Sequence, residues 1–383
     1  MNGRDRILTA LQHKEPDRVP FDMGSSFVTG ITKNAYLNLA RYMGIDAGET
    51  VFCDTVQQLC EPGERILRQL EVDTRGLVPH VGRKNPDIEA VLGKGKTFTD
   101  EWGIKWTMPK DGLYFDLTGS PLSGDITEKD VENFPWPDST LPSLFENLDE
   151  KAQRYYQEGY AVMLESFGSG IFEMSCRIRG YEQFYMDLAM NPSIACAIMD
   201  KFLEMKIKFY KAAAEKMGQY IQFVREGDDM GSQESLLISR KMYSDYLKPR
   251  HKTLFDAQKK IFSRPFYTFF HSDGAIYELI PDFIEIGADI LNPVQVTDKG
   301  VTLERLKKEF GRELSFWGGG IDTQHVLPAA SPAKVKEDVK KRIEALAPGG
   351  GFVFNTIHNI QDDVPPENIA AMHEALMEYG KYY

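Results

Sequence analysis

Two of the chain's seven histidines stand where a short apolar run turns polar. His271 closes PFYTFFH and is followed by Ser272 and Asp273, and His358 follows FVFNTI, the run that contains Asn355. Carboxylates collect at the same kind of place. Glu165 ends AVMLE, Glu226, Asp228 and Asp229 end YIQFVREGDD, and Asn292 and Gln295 lie in DILNPVQ. An imidazole beside a carboxylate supports two chemistries. His271, Asp273 and His358 together offer nitrogen and oxygen donors that suit zinc or a similar divalent ion, with a position left for a substrate oxygen. The same groups suit proton transfer without a metal, an imidazole acting as general acid while a carboxylate orients it. Spacing does not separate the two, because the groups would come from different strands. The Glu226–Asp229 run has a plainer reading as a helix cap. A serine nucleophile is not indicated, since no GxSxG turn occurs.

Something must bring these run ends together. From residue 161 onward, β-rich runs alternate with segments such as VTLERLKKEFG and SPAKVKEDVKKRIEALA, whose apolar residues recur every three or four positions. Runs begin at 161, 220, 265, 289, 314 and 352. Residues 19–23 and the run TRGLVPH from Thr74 bring the number of strands to eight. Eight strands alternating with helices predict a single (β/α)8 barrel, a TIM barrel, over residues 1–383, with the site at the strands' C-terminal ends. An open doubly wound sheet is disfavoured, because neither GxGxxG after an early strand nor GxxxxGK[ST] is present. Residues 82–138 read as an inserted β-hairpin after the second strand, either placed over one barrel mouth or a solvent-exposed decoration. A helical insertion after the third strand is expected from Cys176 to Met217, punctuated by Asn191-Pro192.

A net charge of −12 argues against a nucleic-acid footprint, which needs clustered positive charge, and against anionic lipid. No run is long and apolar enough to span a bilayer, and the opening residues lack the apolar core of a signal peptide. The four cysteines show no CxxC spacing, so reduced thiols and a cytoplasmic location are expected.

Three segments carry a likeness to a known family. PGGGFVFNTIHNIQDDVPPENI resembles the last strand and loop of the uroporphyrinogen decarboxylase (URO-D) superfamily, HSDGAIYELIPDFIEIGADILNPVQ its fifth and sixth βα units, and RDRILTALQHKEPDRVPFD its N-terminal helix and first strand. The resemblance implies one distorted barrel and either of two chemistries. True decarboxylases carry an Arg-Gln-Ala-Gly-Arg-Tyr signature after the first strand. Here Asp22-Met23-Gly24-Ser25-Ser26 stands in its place, with no arginine between Arg18 and Arg41. The other branch comprises methyltransferases that work with a corrinoid-carrying protein. Those acting on thiols hold zinc with a His-x-Cys motif and a later cysteine. This chain has His271-Ser272-Asp273, His358 near the place of the later cysteine, and no cysteine after Cys196. Harder ligands, or a histidine acid, suit a methyl-ether oxygen as leaving group.

The resemblance therefore implies an enzyme that moves a methyl group from a methoxylated small molecule to the cobalt of a corrinoid (cobalamin) on a partner protein. His271, Asp273 and His358 are the expected catalytic or metal residues, with zinc as the candidate ion. Glu165, Glu226, Asp228 and Asn355 are the expected substrate contacts. No nucleic-acid or membrane partner is expected, and a homodimer is compatible with the reading. The alternatives are a decarboxylase acting on a tetrapyrrole or smaller acid, with His358 as proton donor, and a non-catalytic barrel serving as a binding module.

Overall fold

The computed structural model describes residues 1–80, 95–295 and 301–382. Helix Gly3–Leu11 comes first, with Asn2 capping it by accepting from the Asp5 amide. A small antiparallel sheet follows, made of β1 (Ile31–Thr32), β2 (Val51–Asp54) and β3 (Leu59–Glu61). The central sheet is built from seven parallel strands that pair in chain order: β4 (Thr74–Leu77), β8 (Ala161–Leu164), β9 (Phe223–Gly227), β10 (Tyr267–His271), β11 (Ile290–Asn292), β12 (Ser315–Trp317) and β13 (Phe352–Val353). Helices cover its outer face, which is why these strands read as nearly continuous apolar runs.

The first expected strand, residues 19–23, is not a regular strand. It lies between the two edges and closes the ring. Phe21 bridges Phe354 in parallel, the Asp22 amide donates to the Phe354 carbonyl (2.9 Å), and the Asp73 amide donates to the Phe21 carbonyl (2.9 Å). The Pro20 carbonyl accepts from the Phe354 amide (2.8 Å), but Pro20 has no N–H to give, so the pairing with β13 stops there. Inside the barrel, Ala161, Met163, Phe223, Phe269, Ile290, Trp317 and Val353 fill the lumen, and Ile7 and Leu11 of the N-terminal helix pack with them from the strands' N-terminal end. That end is plugged. The site must lie at the other.

Two insertions build over the open end. The expected hairpin has a third strand: β5 (Thr97–Thr99), β6 (Lys105–Thr107) and β7 (Asp116–Gly119) form an antiparallel meander. Residues 82–94 of that expected insertion lie outside the described residues. The helical insertion starts earlier than Cys176 and has three helices, Ile171–Arg179, Tyr181–Met190 and Pro192–Met217. Gly180, at φ 92°, breaks the first from the second, a conformation that a side chain would resist. Among the described residues no helix is long and apolar enough to cross a membrane, and all four cysteines are free thiols.

Candidate active site

His271 is the last residue of β10, and its ring is fixed from behind. Nδ1 lies 2.6 Å from Asn292 Oδ1 on β11. The Asn292 amide nitrogen is committed to the Trp317 carbonyl (2.7 Å), so its oxygen faces the histidine and Nδ1 carries the proton. Nε2 therefore points at the open end. It lies 3.5 Å from Asp273 Oδ2 and 3.6 Å from Asp229 Oδ1. His358, on the loop after β13, brings its Nε2 to 3.7 Å from the same Asp273 oxygen, and the two imidazole rings are 5.9 Å apart. Space for His271 comes from Gly227, the residue opposite it on β9. A Cβ there would meet the His271 Cβ at 2.7 Å.

The charges of the cluster are interdependent. Burial works against a charged His271, but the adjacent Asp273 and then Asp229 outweigh it and push the imidazole up to about 9. Burial, Asp273 and Glu173 push Asp229 up to about 7. Burial would raise Asp273, yet the His271 cation holds it below the usual carboxylate range. Burial pushes His358 down, and His271 adds to that against the pull of Asp273. The arrangement favours the charged form of His271 on the Asp273 carboxylate and the neutral form of His358 beside it.

These groups border a cavity of about 330 Å³ under the inserted meander, lined by Asp229, His271 and His358 on one side and by Trp106, Tyr114 and Phe115 on the other. A second lobe of about 140 Å³ adjoins it, lined by Phe98, Trp102, Met174 and Glu165. Phe27, Asp54, Trp106, Arg177 and Arg225 line both. Asn359 ties the roof loops together through the Gly30 amide (2.5 Å), the Phe27 carbonyl (2.7 Å) and Gln57 (2.7 Å).

Of the residues singled out from sequence, His271, Asp273 and His358 come together. Their donor atoms lie within 4.8 Å of one another. Glu165 also reaches the cavity, but its oxygens are occupied by the Phe27 amide (2.8 Å), the Ser166 amide (2.9 Å) and Arg225 (2.6 Å). It positions Arg225. Three expected substrate contacts are misplaced. Glu226 points out of the barrel, to Lys206 (3.1 Å) and Tyr210 on helix Pro192–Met217, because strand residues alternate and Arg225 takes the inward place. Asp228 turns to the start of helix Ile171–Arg179. There it accepts from the Phe172 (3.0 Å) and Glu173 (2.8 Å) amides and meets His251 Nε2 at 2.7 Å. Asn355 donates to the Asp22 carbonyl (3.0 Å) at the barrel seam and does not line either lobe. Arg225, Glu173 and Arg177 were not foreseen. The i,i+4 Glu173–Arg177 pair was legible in IFEMSCRIR, and both residues face the cavity.

The cluster also fits a metal. Two imidazole nitrogens and one carboxylate oxygen make a donor set of the kind found at catalytic zinc, and Asn292 supplies the outer hydrogen bond that such histidines usually have. Separations of 3.5 and 3.7 Å to the shared Asp273 oxygen approach the edge of a tetrahedral site with bonds of about 2 Å.

A profile of the family described as "Uroporphyrinogen decarboxylase (URO-D)" matches residues 116–379. The chain belongs to this family. A uroporphyrinogen decarboxylase of Mannheimia succiniciproducens is 23% identical over 387 residues, covering 99% of this chain and 98% of the relative. One from Pseudoalteromonas atlantica is 23% identical over 390 residues, with the same coverage. Among solved structures, a methyltransferase from Methanosarcina mazei superposes with a TM-score of 0.66 at 17% identity, covering 99% of each chain. The superposition supports the (β/α)8 fold. The names of these relatives divide between two enzyme classes, decarboxylase and methyltransferase.

Proposed function

We propose that this URO-D family member is a methyltransferase that removes the methyl group from a methoxylated small molecule and passes it to a corrinoid on a separate protein. The observation that carries this reading is the cavity's charge. Carboxylates outnumber guanidiniums among its described lining residues, with Asp54, Asp100, Glu101, Asp116, Glu165, Glu173 and Asp229 against Arg177 and Arg225. A tetrapyrrole with many carboxylates needs several bidentate cations. It finds only two guanidiniums among the described lining residues, each already paired with a glutamate, while an ether oxygen needs none.

His271 Nε2, held by Asn292 and charged by Asp273, is the proton donor to the ether oxygen. The bond from methyl carbon to oxygen breaks, its electron pair stays on oxygen, and the His271 proton completes an alcohol or phenol. The electron pair of the new bond to the methyl carbon comes from the reduced cobalt of the partner's corrinoid. Where a zinc ion is bound, His271, Asp273 and His358 would hold it, and it would supply Lewis acidity to the same oxygen. The meander above the cavity shapes the face that the carrier protein must approach.

The nearly full-length likeness to proteins named uroporphyrinogen decarboxylase supports a second reading, loss of carbon dioxide with His358 as proton donor. One experiment separates the two. The purified chain is incubated with cob(I)alamin and a panel of methoxylated aromatic and aliphatic ethers, and methylcobalamin is followed by absorbance. Formation only with enzyme, donor and cob(I)alamin together supports methyl transfer. No transfer across the panel, with carbon dioxide release from uroporphyrinogen, selects the decarboxylase.

A further inference from the structure

An oxygen that loses its methyl group calls for more than one hydrogen-bond donor. As the carbon–oxygen bond breaks, the oxygen gains an electron pair, and donors aimed at it are worth most in that state. His271 Nε2 supplies one from the strand side. Most other donors around the cavity are committed. Trp106 Nε1 gives to Asp100 (2.8 Å), Arg177 is held by Glu173, and Arg225 meets Glu165 at 2.6 Å. Tyr114 is not committed in this way. It lines the same lobe as His271 and His358, from the wall that the inserted meander supplies. Among the described residues its hydroxyl has the Gln361 side chain beside it, but Gln361 Oε1 has no hydrogen-bond partner, so the phenol hydrogen is not spent there.

The backbone fixes this residue from both sides. The Leu113 carbonyl accepts from Gln58 Nε2 (2.8 Å), and the Phe115 amide donates to the Val56 carbonyl (3.0 Å). Tyr114 thus stands between two ties to one roof loop. Next to it, the Phe115 ring packs edge-on against Phe98, with centres 5.0 Å apart. Burial and then the Asp273 carboxylate push the phenol up to about 12, so it keeps its proton where His271 works. It can give a hydrogen bond without competing as the acid. We propose that Tyr114 is a second substrate-contacting residue, whose O–H donates to the leaving oxygen on the lone pair that His271 does not take. This rests on the methyl-ether reading above. In the step the bond from methyl carbon to oxygen breaks, the electron pair stays on oxygen, and the His271 proton completes the alcohol or phenol. Tyr114 keeps its own proton throughout.

The test reads binding before turnover. 4-Nitrophenolate carries the oxyanion that a leaving group develops, and nitrobenzene has the same ring without that oxygen. Both are titrated into the full chain by calorimetry, with the nitrophenolate absorbance followed in parallel. Tyr114→Phe keeps the ring and loses the hydroxyl. It should weaken 4-nitrophenolate by ~10-fold, reverse part of its absorbance shift and leave nitrobenzene unchanged. With a methyl donor that turns over, the same variant should lower kcat by at least ~10-fold at a KM within about twofold, the mark of a contact made in the transition state. The loss should be larger for methoxybenzene than for 4-nitromethoxybenzene, whose leaving oxygen needs less help. Equal 4-nitrophenolate binding by wild type and variant, a parallel loss of nitrobenzene, no 4-nitrophenolate binding at all, or an unchanged kcat overturns the contact. A Tyr114-dependent preference for 4-nitrophenolate without any methyl transfer to cob(I)alamin keeps the contact and overturns the methyl-ether reading.

Discussion

Asn292 never faces the cavity, yet the site depends on it. Its oxygen takes the His271 Nδ1 proton and its nitrogen is anchored to Trp317, so it sets both tautomer and ring orientation. Removing such a partner typically costs 10- to 100-fold. Asn292→Ala should therefore lower turnover by at least ~10-fold with the melting temperature shifted by only a few degrees, whereas His271→Ala should lower it by at least ~100-fold. Equal rates for wild type and Asn292→Ala would mean that the ring is held by something else. A second single-residue effect lies at the plugged end. Lys307 donates to the Gly350 carbonyl in a partly buried spot, and burial, opposed by Glu15, pushes its ammonium down to about 8. The folded state then binds fewer protons than the unfolded state between about pH 8 and 10.5. Its burial penalty is fully present below pH 8 and fades as pH rises to 10.5. The melting temperature of Lys307→Met relative to wild type should thus be higher at pH 7 than at pH 10. A difference that does not change with pH rejects the assignment.

At the scale of elements, Asp228 connects a strand to a helix. It follows β9 and caps the first turn of helix Ile171–Arg179, where Gly170 leaves no room for a side chain: a Cβ there would fall 1.9 Å from Asp228 Oδ1. Glu173 and Arg177 ride on this helix into the cavity. Asp228→Ala strips two amides and buried His251 of their acceptor, and should destabilise by about 2–4 kcal/mol in urea unfolding. A loss under 1 kcal/mol would show that the helix is held elsewhere. This residue also marks the border of what the sequence could reveal. The barrel was legible because helix and strand periods alternate along the chain. His271 and His358 were legible because strand ends gather at one mouth. Which way Arg225 and Glu226 point was not. A strand buried on both faces shows no alternation of polarity, so no pattern in YIQFVREGDD says which charge enters the lumen. Residues 19–23 fall short of a regular strand for a different reason. VPFDM has strand composition, but Pro20 has no N–H and the Phe21 amide is taken by the Asp73 carboxylate (2.8 Å), so the pairing stays at a single bridge to Phe354.

For the whole molecule, the question is what keeps a ring closed when one of its eight staves is only a bridge. Asp73, 3% exposed, is the clamp. Its carboxylate accepts from the Phe21 amide (2.8 Å) in the closing segment, from Arg18 (2.8 Å) beside it, and from Arg6 (2.5 Å) on the N-terminal helix, while its own amide pairs with the Phe21 carbonyl. One side chain thus joins the plug, the seam and the start of β4. Removing it leaves two guanidiniums facing each other in a buried place, and breaking a buried pair costs about 3–5 kcal/mol. Asp17 makes a useful contrast. It bonds the same Arg6 at 2.6 Å but is 43% exposed, so its loss should cost no more than about 1 kcal/mol. Urea unfolding of Asp73→Ala and Asp17→Ala, followed by circular dichroism, should separate the two by at least about 2 kcal/mol. Hydrogen exchange on Asp73→Ala should show the segment from the N-terminal helix to residue 23 opening before the strands that follow. If the two variants lose equal stability, or if that segment keeps its protection, closure rests on the lumen packing of Trp317, Phe223 and Phe269 rather than on the buried carboxylate.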